Sequence, residues 1–290
     1  MDIDALKAFI AVSKTQSFSL AAQQLFITQP AVSKRISGLE AHLNHSLFDR
    51  LGKTVRLTEA GATLLPKALS IVQQISETER GIRELSGEIR GLLKVATSHH
   101  IGLHHLPPVL REFASAHPDV NLQFEFLDSE KAHRKLLSSE VELAIVTLAP
   151  QLEPPLKAKQ LWHDPLAFVV ARDHPLASIE LVHLSQLSEY SAILPDLNTY
   201  TGRLVKQCFD EQGLPLTLNM ATNYLETIKM MVGVGLGWSV LPKTLIDEHM
   251  QQMHIPNIAL ARSLGVITHT KHTLSNAAQA FYLALTEAGN

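Results

Sequence analysis

The sequence predicts an α/β protein with a small all-α head at its N-terminal end. Three observations point to this fold class. Three short amphipathic helical segments occupy the first 45 residues, a heptad-spaced apolar stripe follows, and strand-like and helix-like segments alternate after Gly91. Alternation of that kind is typical of α/β folds with a largely parallel sheet. A chain of 290 residues is also long enough to form more than one domain.

The first three predicted helices lie close together in the chain. They are Ala5–Lys14, Ser19–Leu25 and Gln29–Leu43. Ser19 and Thr28 are candidate N-caps, and Pro30 falls in a first turn, where no backbone N–H is needed. Because only Phe26 and Ile27 separate the second helix from Thr28, the pattern predicts a helix-turn-helix.

The third predicted helix has one apolar face and one face of small and polar residues. At about 100° per residue, Pro30, Lys34, Ser37 and Gly38 point away from the apolar side. A face of small residues around one cation suits close approach to the major groove of DNA. An ordinary solvated helix face is the alternative interpretation.

A short hairpin with a basic tip is predicted over residues 46–57. Its turn falls at Gly52-Lys53, with Arg50 and Arg56 beside it, and such a wing can grip phosphates. Residues 1–57 carry seven Lys/Arg and four Asp/Glu, whereas the rest of the chain has a net charge of −6. A basic head on an acidic body indicates that the head meets nucleic acid.

A long helix is predicted from Thr58 to about Ile89. Apolar positions recur there at spacings of three and four, which is the seam of a coiled coil. The seam comprises Leu65, Ala68, Val72, Ile75, Glu79 and Ile82, and only Glu79 interrupts it. A rod of about 48 Å cannot bury this stripe on the head alone. A second copy of the chain is the expected partner, and packing of the stripe on its own chain is the alternative.

Two βαβαβ units are predicted after the long helix. The first comprises Leu92–Thr97, Leu103–His117, Val120–Phe126, Glu130–Ser138 and Glu142–Thr147. The second comprises Tyr190–Leu194, Thr201–Gln212, Thr217–Ala221, Leu225–Val234 and Trp238–Leu241. Two such halves predict a two-lobed body with a ligand cleft outside the carboxyl ends of the strands.

Composition indicates a cytoplasmic protein with no membrane partner. The single cysteine, Cys208, cannot form an internal disulfide, which suits a reducing compartment. The first residues are acidic and lack the basic segment of a signal peptide. The longest charge-free apolar run, Met230–Pro242, has 13 residues and is too short to span a bilayer.

Several ordered motifs closely resemble LysR-type transcriptional regulators. In the head these are Leu20–Leu25, Thr28–Ile36, Leu39-Glu40, Leu47–Arg50 and Leu57–Gly61; in the body they are Leu106–Pro108, His117–Val120, Glu142–Val146 and Gly233–Pro242. The resemblance covers nearly the whole chain. It implies a winged helix-turn-helix over residues 1–57, a dimerising linker helix over 58–90 and a two-lobed effector-binding domain over 91–290, like periplasmic binding proteins. Lobe I is expected over about 91–163 and 266–290, and lobe II over about 164–265.

The resemblance places DNA contacts at the start of the third helix and on the wing. The residues are Thr28, Gln29, Pro30, Ser33, Lys34, Arg50, Lys53 and Arg56. Gln29 can pair with adenine through two hydrogen bonds, and Lys34 can reach guanine acceptors. The implied partners are an operator duplex with inverted-repeat half-sites, RNA polymerase, and further copies of the chain in a homodimer or homotetramer. A regulator of this kind needs no catalytic residue and no cofactor.

The resemblance also places a small-metabolite site between the lobes. Its residues are Ser98, His99, His100, Ile101, Thr147, Thr199, Tyr200, Thr201, Gly202 and Asn223. His100 stands where the family often has threonine, and its imidazole can donate, accept or carry a charge. Hydroxyls and helix N-termini facing a cleft favour a small anion. Alternatively, His100 only caps a helix.

A histidine cluster supports a rival hypothesis, a metal-dependent enzyme or a metal sensor. It comprises His99, His100, His104 and His105, and His100 and His104 have the i,i+4 spacing of two ligands of one metal. No acidic residue or cysteine follows at a recognisable spacing to act as the third ligand.

Two further features have structural interpretations. Gly233, Gly235 and Gly237 follow a predicted helix and precede a strand, the reverse of a nucleotide-binding loop, so they are expected to form a helix-ending turn. Cys208 is interpreted as a small buried side chain, with a redox sensor as the alternative.

Overall fold

The structure, a computed structural model, describes residues 1–51 and 54–289. The chain divides into two compact units, residues 1–87 and residues 88–290. The first unit contains the head and a long helix, and the second is the α/β body. Within the described residues, no helix has both the length and the apolar character needed to cross a bilayer.

Three helices form the head, as predicted. They are α1 (Ile3–Thr15), α2 (Phe18–Gln24) and α3 (Gln29–Leu43). Ser17, not Ser19, caps α2, because its extended backbone lets its Oγ accept a 3.3 Å hydrogen bond from the N–H of Leu20. Phe9 and Ile36 are fully buried where the apolar faces of α1 and α3 meet.

The turn between α2 and α3 is a Schellman-type helix end. The N–H of Ile27 donates to the carbonyl of Ala22 (3.1 Å), and the N–H of Phe26 donates to the carbonyl of Gln23 (3.2 Å). Phe26 has a left-handed backbone with φ of 54°. Its side chain is 96% exposed.

The predicted hairpin is present after α3. Strands β1 (Phe48–Leu51) and β2 (Thr54–Leu57) are antiparallel, with Phe48 opposite Leu57. The Phe48 ring lies 5.3 Å from that of Phe9, so the base of the hairpin is fixed to the head core. The predicted turn at Gly52-Lys53 lies outside the described residues.

The long helix, α4, spans Glu59–Arg83 and is shorter than predicted. A 3-10 turn over Glu84–Ser86 follows it, and Gly87 leaves the helical path with φ of 75°. The first part of the apolar stripe packs on the head core, where Ala68 is fully buried and Val72 is partly buried. Farther along the stripe, Ile82 is 65% exposed. The stripe is therefore covered by its own chain at one end only.

Strands and helices alternate over much of the body, as expected of an α/β fold, but some consecutive strands have no helix between them. The strands are β3 (Gly91–Thr97), β4 (Val120–Phe126), β5 (Leu143–Thr147), β6 (Leu156–Ala171), β7 (Ala192–Leu194), β8 (Leu218–Ala221), β9 (Ser239–Pro242), β10 (Met250–Met253) and β11 (Leu260–His269). The helices are α5 (His99–His104), α6 (Leu106–Ala116), α7 (Ser129–Leu137), α8 (Leu184–Leu187), α9 (Tyr200–Glu211), α10 (Leu225–Gly233) and α11 (Asn276–Ala288).

The main sheet is mixed, which corrects the expectation of a largely parallel one. Its order is β10-β6-β11-β5-β3-β4, and β9 also pairs with β6. Only the β3–β4 and β3–β5 pairs are parallel, because β6 and β11 run antiparallel to each of their partners. Strands β7 and β8 form a separate parallel pair. The predictions missed β6, β10 and β11.

One predicted helix of the body is two helices. The segment expected as Leu103–His117 contains the end of α5 and all of α6, which are separated at His105. Pro107 and Pro108 cause the break, since proline fits the first turn of a helix but not its interior.

Two large cores lie along the main sheet and define two lobes, and each lobe also has a smaller core. The first includes Leu93, Ile145 and Phe281, from β3, β5 and α11. The second includes Phe209 and Trp238, whose rings stack 5.5 Å apart. Strand β6 leaves the first core and enters the second, and β11 returns antiparallel to it. These two strands connect the lobes.

Candidate DNA-binding and ligand-binding sites

The predicted DNA-contacting residues at the start of α3 share one accessible surface. Thr28, Gln29, Pro30 and Lys34 are exposed, and Ser33 is half-buried. Thr28 occupies the N-cap position but makes no side-chain capping bond. The Gln29 side chain donates a 3.1 Å hydrogen bond to Ser33 Oγ. This surface combines an unused hydroxyl, an amide and a cation at a helix N-terminus.

The predicted wing residues are described to different extents. Arg56 is exposed on β2, opposite Asp49. Arg50 lies in β1, but its side chain is outside the described part of the chain, as is the whole of Lys53. Arg35 is not free to join this surface, because its guanidinium pairs with Asp4 at 2.7 Å.

An inner cavity of about 60 Å3 lies between the lobes of the body. On the first lobe, Ser98 caps α5 and accepts a 3.4 Å hydrogen bond from the N–H of Ile101. Thr147 ends β5, and its hydroxyl lines the cavity and makes no side-chain hydrogen bond among the described residues. Both hydroxyl protons are available to a ligand in the cavity.

The second lobe contributes the start of α9 to the inner cavity. Thr199 caps this helix, accepting from the N–H of Gly202 (3.1 Å) and donating to the carbonyl of Asp196 (2.6 Å). Tyr200, Thr201 and Asn223 also line the cavity. Asn223 Oδ1 accepts a 2.9 Å hydrogen bond from the N–H of Asp196.

A buried ion pair stands beside these residues. The Arg262 guanidinium, on β11, donates to Asp164 on β6 at 2.7 Å and to Thr201 Oγ1 at 3.1 Å. The two charged side chains are 8% and 2% exposed, and Arg262 lines the inner cavity. His100 Nε2 lies 3.7 Å from Asp164, too far for a hydrogen bond. Arg262 therefore lines the cavity as a guanidinium whose charge is already paired with Asp164.

His100 is a buried imidazole at the cavity wall, and it does not cap a helix, which was the alternative expectation for it. Ser98 caps the helix instead, and neither ring nitrogen of His100 has a hydrogen-bond partner in the described residues. Burial, reinforced by the Arg262 charge, lowers the pKa of His100 to about 3. At neutral pH the ring therefore offers one donor and one acceptor but no charge.

The cleft also contains two carboxylates that were not among the predicted lining residues. Glu130 accepts a 2.8 Å hydrogen bond from the N–H of Tyr200 and lies 3.7 Å from Arg203. Asp128 pairs with Lys131 at 3.0 Å. Each carboxylate thus has a partner, and Glu130 already occupies the N-terminus of α9.

Two predicted ligand-binding residues do not line the cavities. Ile101 is fully buried in the core of the first lobe. Gly202 is required by close packing, since a Cβ there would lie 2.3 Å from the carbonyl oxygen of Asp196. Both residues are next to lining residues in the sequence. In the structure, however, the Ile101 side chain and the Cα of Gly202 pack against other parts of the protein.

An outer cavity of about 330 Å3 adjoins the inner one. His99 lies between the rings of Phe126 (5.1 Å) and Tyr224 (4.6 Å) at its wall. Asn223 and Asp128 line both cavities. The aromatic side chains give the outer cavity a partly apolar wall.

The remaining histidines do not assemble a metal centre in the described residues. His104 pairs with Glu226 at 2.6 Å, and the His105 ring packs 4.8 Å from that of Trp162. No three His, Cys, Asp or Glu side chains in the described ranges could hold one ion. The i,i+4 pair of His100 and His104 is a ring contact at 5.0 Å.

The glycine run and the cysteine have the structural roles expected of them. α10 ends at Gly233, and a Cβ on Gly237 would lie 2.5 Å from the carbonyl oxygen of Ser191.

Cys208 is half-buried and donates to the carbonyl of Leu204, and burial raises the pKa of its thiol. A raised pKa disfavours the reactive thiolate.

Sequence reasoning missed Asp164, Arg262 and Glu130. Arg262 was detectable in principle, because it is a lone charge in an apolar strand, and buried charges are retained only when paired. Asp164 carried a weaker signal, because Lys157 and Lys159 lie in the same strand. Glu130 carried no such signal, since acidic residues are ordinary in the first turn of a helix.

Comparison with known protein families gives matches over nearly the whole chain. Residues 3–62 match the bacterial regulatory helix-turn-helix proteins of the lysR family, and residues 86–290 match the LysR substrate binding domain. The RuBisCO operon transcriptional regulator of Allochromatium vinosum is 30% identical over 246 residues, which span 85% of this chain and 81% of that protein.

Two solved structures share the fold. A full-length variant of OxyR from Pseudomonas aeruginosa superposes with a TM-score of 0.71 at 24% identity, over 100% of this chain and 94% of that one. Full-length CbnR in complex with its target DNA gives a TM-score of 0.64 at 18% identity, over 100% of both chains.

A helix-turn-helix head joined to a two-lobed body with an internal cleft defines a transcription regulator rather than an enzyme. The chain belongs to the lysR family of bacterial regulatory helix-turn-helix proteins.

Proposed function

We propose that the head binds an operator duplex with inverted-repeat half-sites, with α3 in the major groove. Thr28, Gln29, Pro30, Ser33 and Lys34 are the proposed contacts on α3. The wing residues Arg50, Lys53 and Arg56 are proposed to contact phosphates. The exposed N-terminal turn of α3 with its unused Thr28 hydroxyl carries this proposal, because such a turn presents donors to phosphate and base edges.

The regulator is proposed to act in the cytoplasm as a homodimer or homotetramer, with RNA polymerase as a further partner on the promoter. Two half-sites require two heads held at a fixed spacing. The uncovered part of the α4 stripe, at Ile82, supports self-association through this helix.

The effector is proposed to be a small anion rich in hydrogen-bond acceptors, such as a carboxylate, bound in the inner cavity. Ser98, Thr147 and neutral His100 supply donors, and Arg262, which is paired with Asp164, supplies a guanidinium at the cavity wall. The neighbouring carboxylates do not oppose it fully, because Lys131 and the start of α9 balance them. Ligand-dependent lobe closure would then change the relative placement of the heads.

The DNA contacts are tested with a duplex that the full chain selects from a random-sequence library. Gln29→Ala should lose about 1–3 kcal/mol of discrimination at one or two base positions. Arg56→Ala should weaken binding to all sequences alike and reduce the salt dependence. Unchanged base preference in the Gln29→Ala protein would show that Gln29 does not read bases.

The effector site is tested by calorimetry with an anion found in a thermal-shift screen of small carboxylates. Ser98→Ala should lower affinity by about 0.5–3 kcal/mol while operator binding without ligand stays the same. Because the pKa of His100 is about 3, an anion would have to raise it by several units before binding near pH 7 took up a proton, so no uptake is expected. Undiminished binding in both Ser98→Ala and Thr147→Val would place the site elsewhere.

A further inference from the structure

Phe26, in the turn before α3, has an unfavourable backbone conformation for a bulky residue, and its apolar ring is exposed to solvent. The Schellman-type end of α2 places Phe26 in the left-handed region, with φ of 54°. Glycine or asparagine is favoured there, since a side chain with a Cβ is strained and a bulky one more so. The equivalent residues after α1 and α3 are Gln16 and Asn44, both polar.

The Phe26 ring gains nothing from the head that would offset this strain. It is 96% exposed, the most exposed large apolar side chain in the described part of the chain. It is absent from the head core, which includes its neighbours Leu25 and Ile27 as partly buried members. Strain combined with full exposure at a turn points to a contact outside the chain.

The position of Phe26 identifies that contact. It lies two residues before Thr28, at the same end of α3 as the exposed Thr28, Gln29 and Pro30. A duplex engaged by this turn of α3 therefore lies beside the ring. DNA offers apolar surface there, on the 5-methyl group of thymine and on deoxyribose.

We propose that Phe26 is a DNA-contacting residue whose ring packs on apolar surface of the operator at the edge of the major groove. The proposal rests on operator binding by the head. An apolar contact neutralises no phosphate, so it adds affinity without adding to the salt dependence.

The test measures operator affinity and thermal stability of the full-length Phe26→Gly protein, using a duplex that the natural chain selects from a random-sequence library. Glycine relieves the strained backbone, so the melting temperature should stay equal or rise. Affinity should fall about tenfold or more through loss of ring burial. The slope of log K against log salt should be unchanged, whereas Arg56→Ala should flatten it by about one.

Asn44→Gly is the matched control, because it alters a left-handed helix end of the same head. α3 has 15 residues, so Asn44 lies about 22 Å from the N-terminal turn. Its operator affinity should equal that of the natural chain. Phe26→Leu should retain part of the lost affinity, since it keeps an apolar side chain.

Replacing single thymines of the duplex by uracil separates the two apolar sources. If the ring touches a methyl group, one replacement weakens the natural chain but not Phe26→Gly. If the ring packs on deoxyribose, each replacement changes the affinity of the natural chain and of Phe26→Gly by the same factor. Either result agrees with the proposal.

Three results would overturn it: natural affinity in Phe26→Gly, a lowered melting temperature, or a changed oligomeric mass, which would assign the ring to a protein interface. None of these three results would contradict operator binding by the natural chain, which is the proposed function. Failure of the natural chain to select any duplex would instead reject the proposed function, and this contact with it.

Discussion

The carboxylate of Glu130 accepts a 2.8 Å hydrogen bond from the backbone N–H of Tyr200, the first residue of α9. The Tyr200 hydroxyl lies 3.0 Å from His133 Nδ1, one turn along α7 from Glu130. α7 packs on the first lobe and α9 on the second, so these bonds join the lobes across the cleft. A carboxylate at a helix N-terminus is also favoured by the helix dipole.

Removing this carboxylate should loosen the contact between the two lobes. Glu130→Ala is expected to destabilise the body by about 1 kcal/mol, or about 2–4 °C in melting temperature. Small-angle X-ray scattering should show a larger radius of gyration. Glu112→Ala, an exposed change on α6, is the control and should alter neither quantity. A body that keeps its natural stability and dimensions without Glu130 would show that the bond does not hold the lobes together.

The Asp164–Arg262 pair should show strong coupling in a double-mutant cycle. Asp164→Ala leaves a buried guanidinium without its carboxylate and is expected to cost about 3–5 kcal/mol in urea unfolding. Arg262→Met should also destabilise the chain. The double variant should be more stable than the sum of the two losses predicts, because no charge is then left unpaired. Strictly additive losses would mean that the two residues act independently.

The uncovered end of α4 should control self-association. Ile82→Asp places a charge on a side chain that is exposed in one chain, so the fold should be unaffected by circular dichroism. Sedimentation should show a smaller species, and operator affinity should fall because two half-sites are no longer held together. Gln74→Asp, exposed and off the stripe, is the control. Natural oligomeric mass in the Ile82→Asp protein would exclude this part of α4 from the interface.

Stability should fall as the pH decreases below about 6.5. The unfolded His100 takes up a proton near pH 6.5, whereas its folded pKa is about 3. Between those values the unfolded chain binds the extra proton, so stability is full above pH 6.5 and is lost towards pH 3, at up to about 1.4 kcal/mol per pH unit. Burial lowers the pKa of His105 and His133 in the same direction.

Replacing His100 tests this pH dependence. In urea unfolding as a function of pH, His100→Asn should give a shallower loss of stability than the natural chain. The exposed His254→Asn should not change the slope. An unchanged slope in His100→Asn would show that this imidazole is not held neutral by the fold.

The head was predictable because its signals are local. Helical spacing, Pro30 in a first turn and the short link before Thr28 identify three helices without reference to the rest of the chain. Strand β11 was not predictable in this way, since it is defined by pairing with β6, about a hundred residues earlier, and Arg262 interrupts its apolar run. Because β11 supplies antiparallel pairs with β5 and β6, omitting it led to the prediction of a largely parallel sheet.

The existence of a cleft was predicted from two α/β halves, whereas its lining residues were predicted from the resemblance to the family. Ser98, Thr147 and Thr199 were found because each follows a strand or begins a helix with a recognisable motif. Glu130 could not be found, because its partner Tyr200 lies 70 residues away and the bond exists only when two lobes meet. The pKa of His100 likewise depends on Arg262, a residue of the returning strand.

The course of β6 and β11 has a consequence for synthesis of the chain on the ribosome. The first core needs Leu264 and Val266 of β11 and Phe281 of α11, which are translated after the whole second lobe. The apolar side chains of β3 and β5 therefore stay uncovered until almost the entire polypeptide has emerged from the ribosome. The lobe that is begun first is completed last, so this stretch of translation is where the nascent body should most need a chaperone.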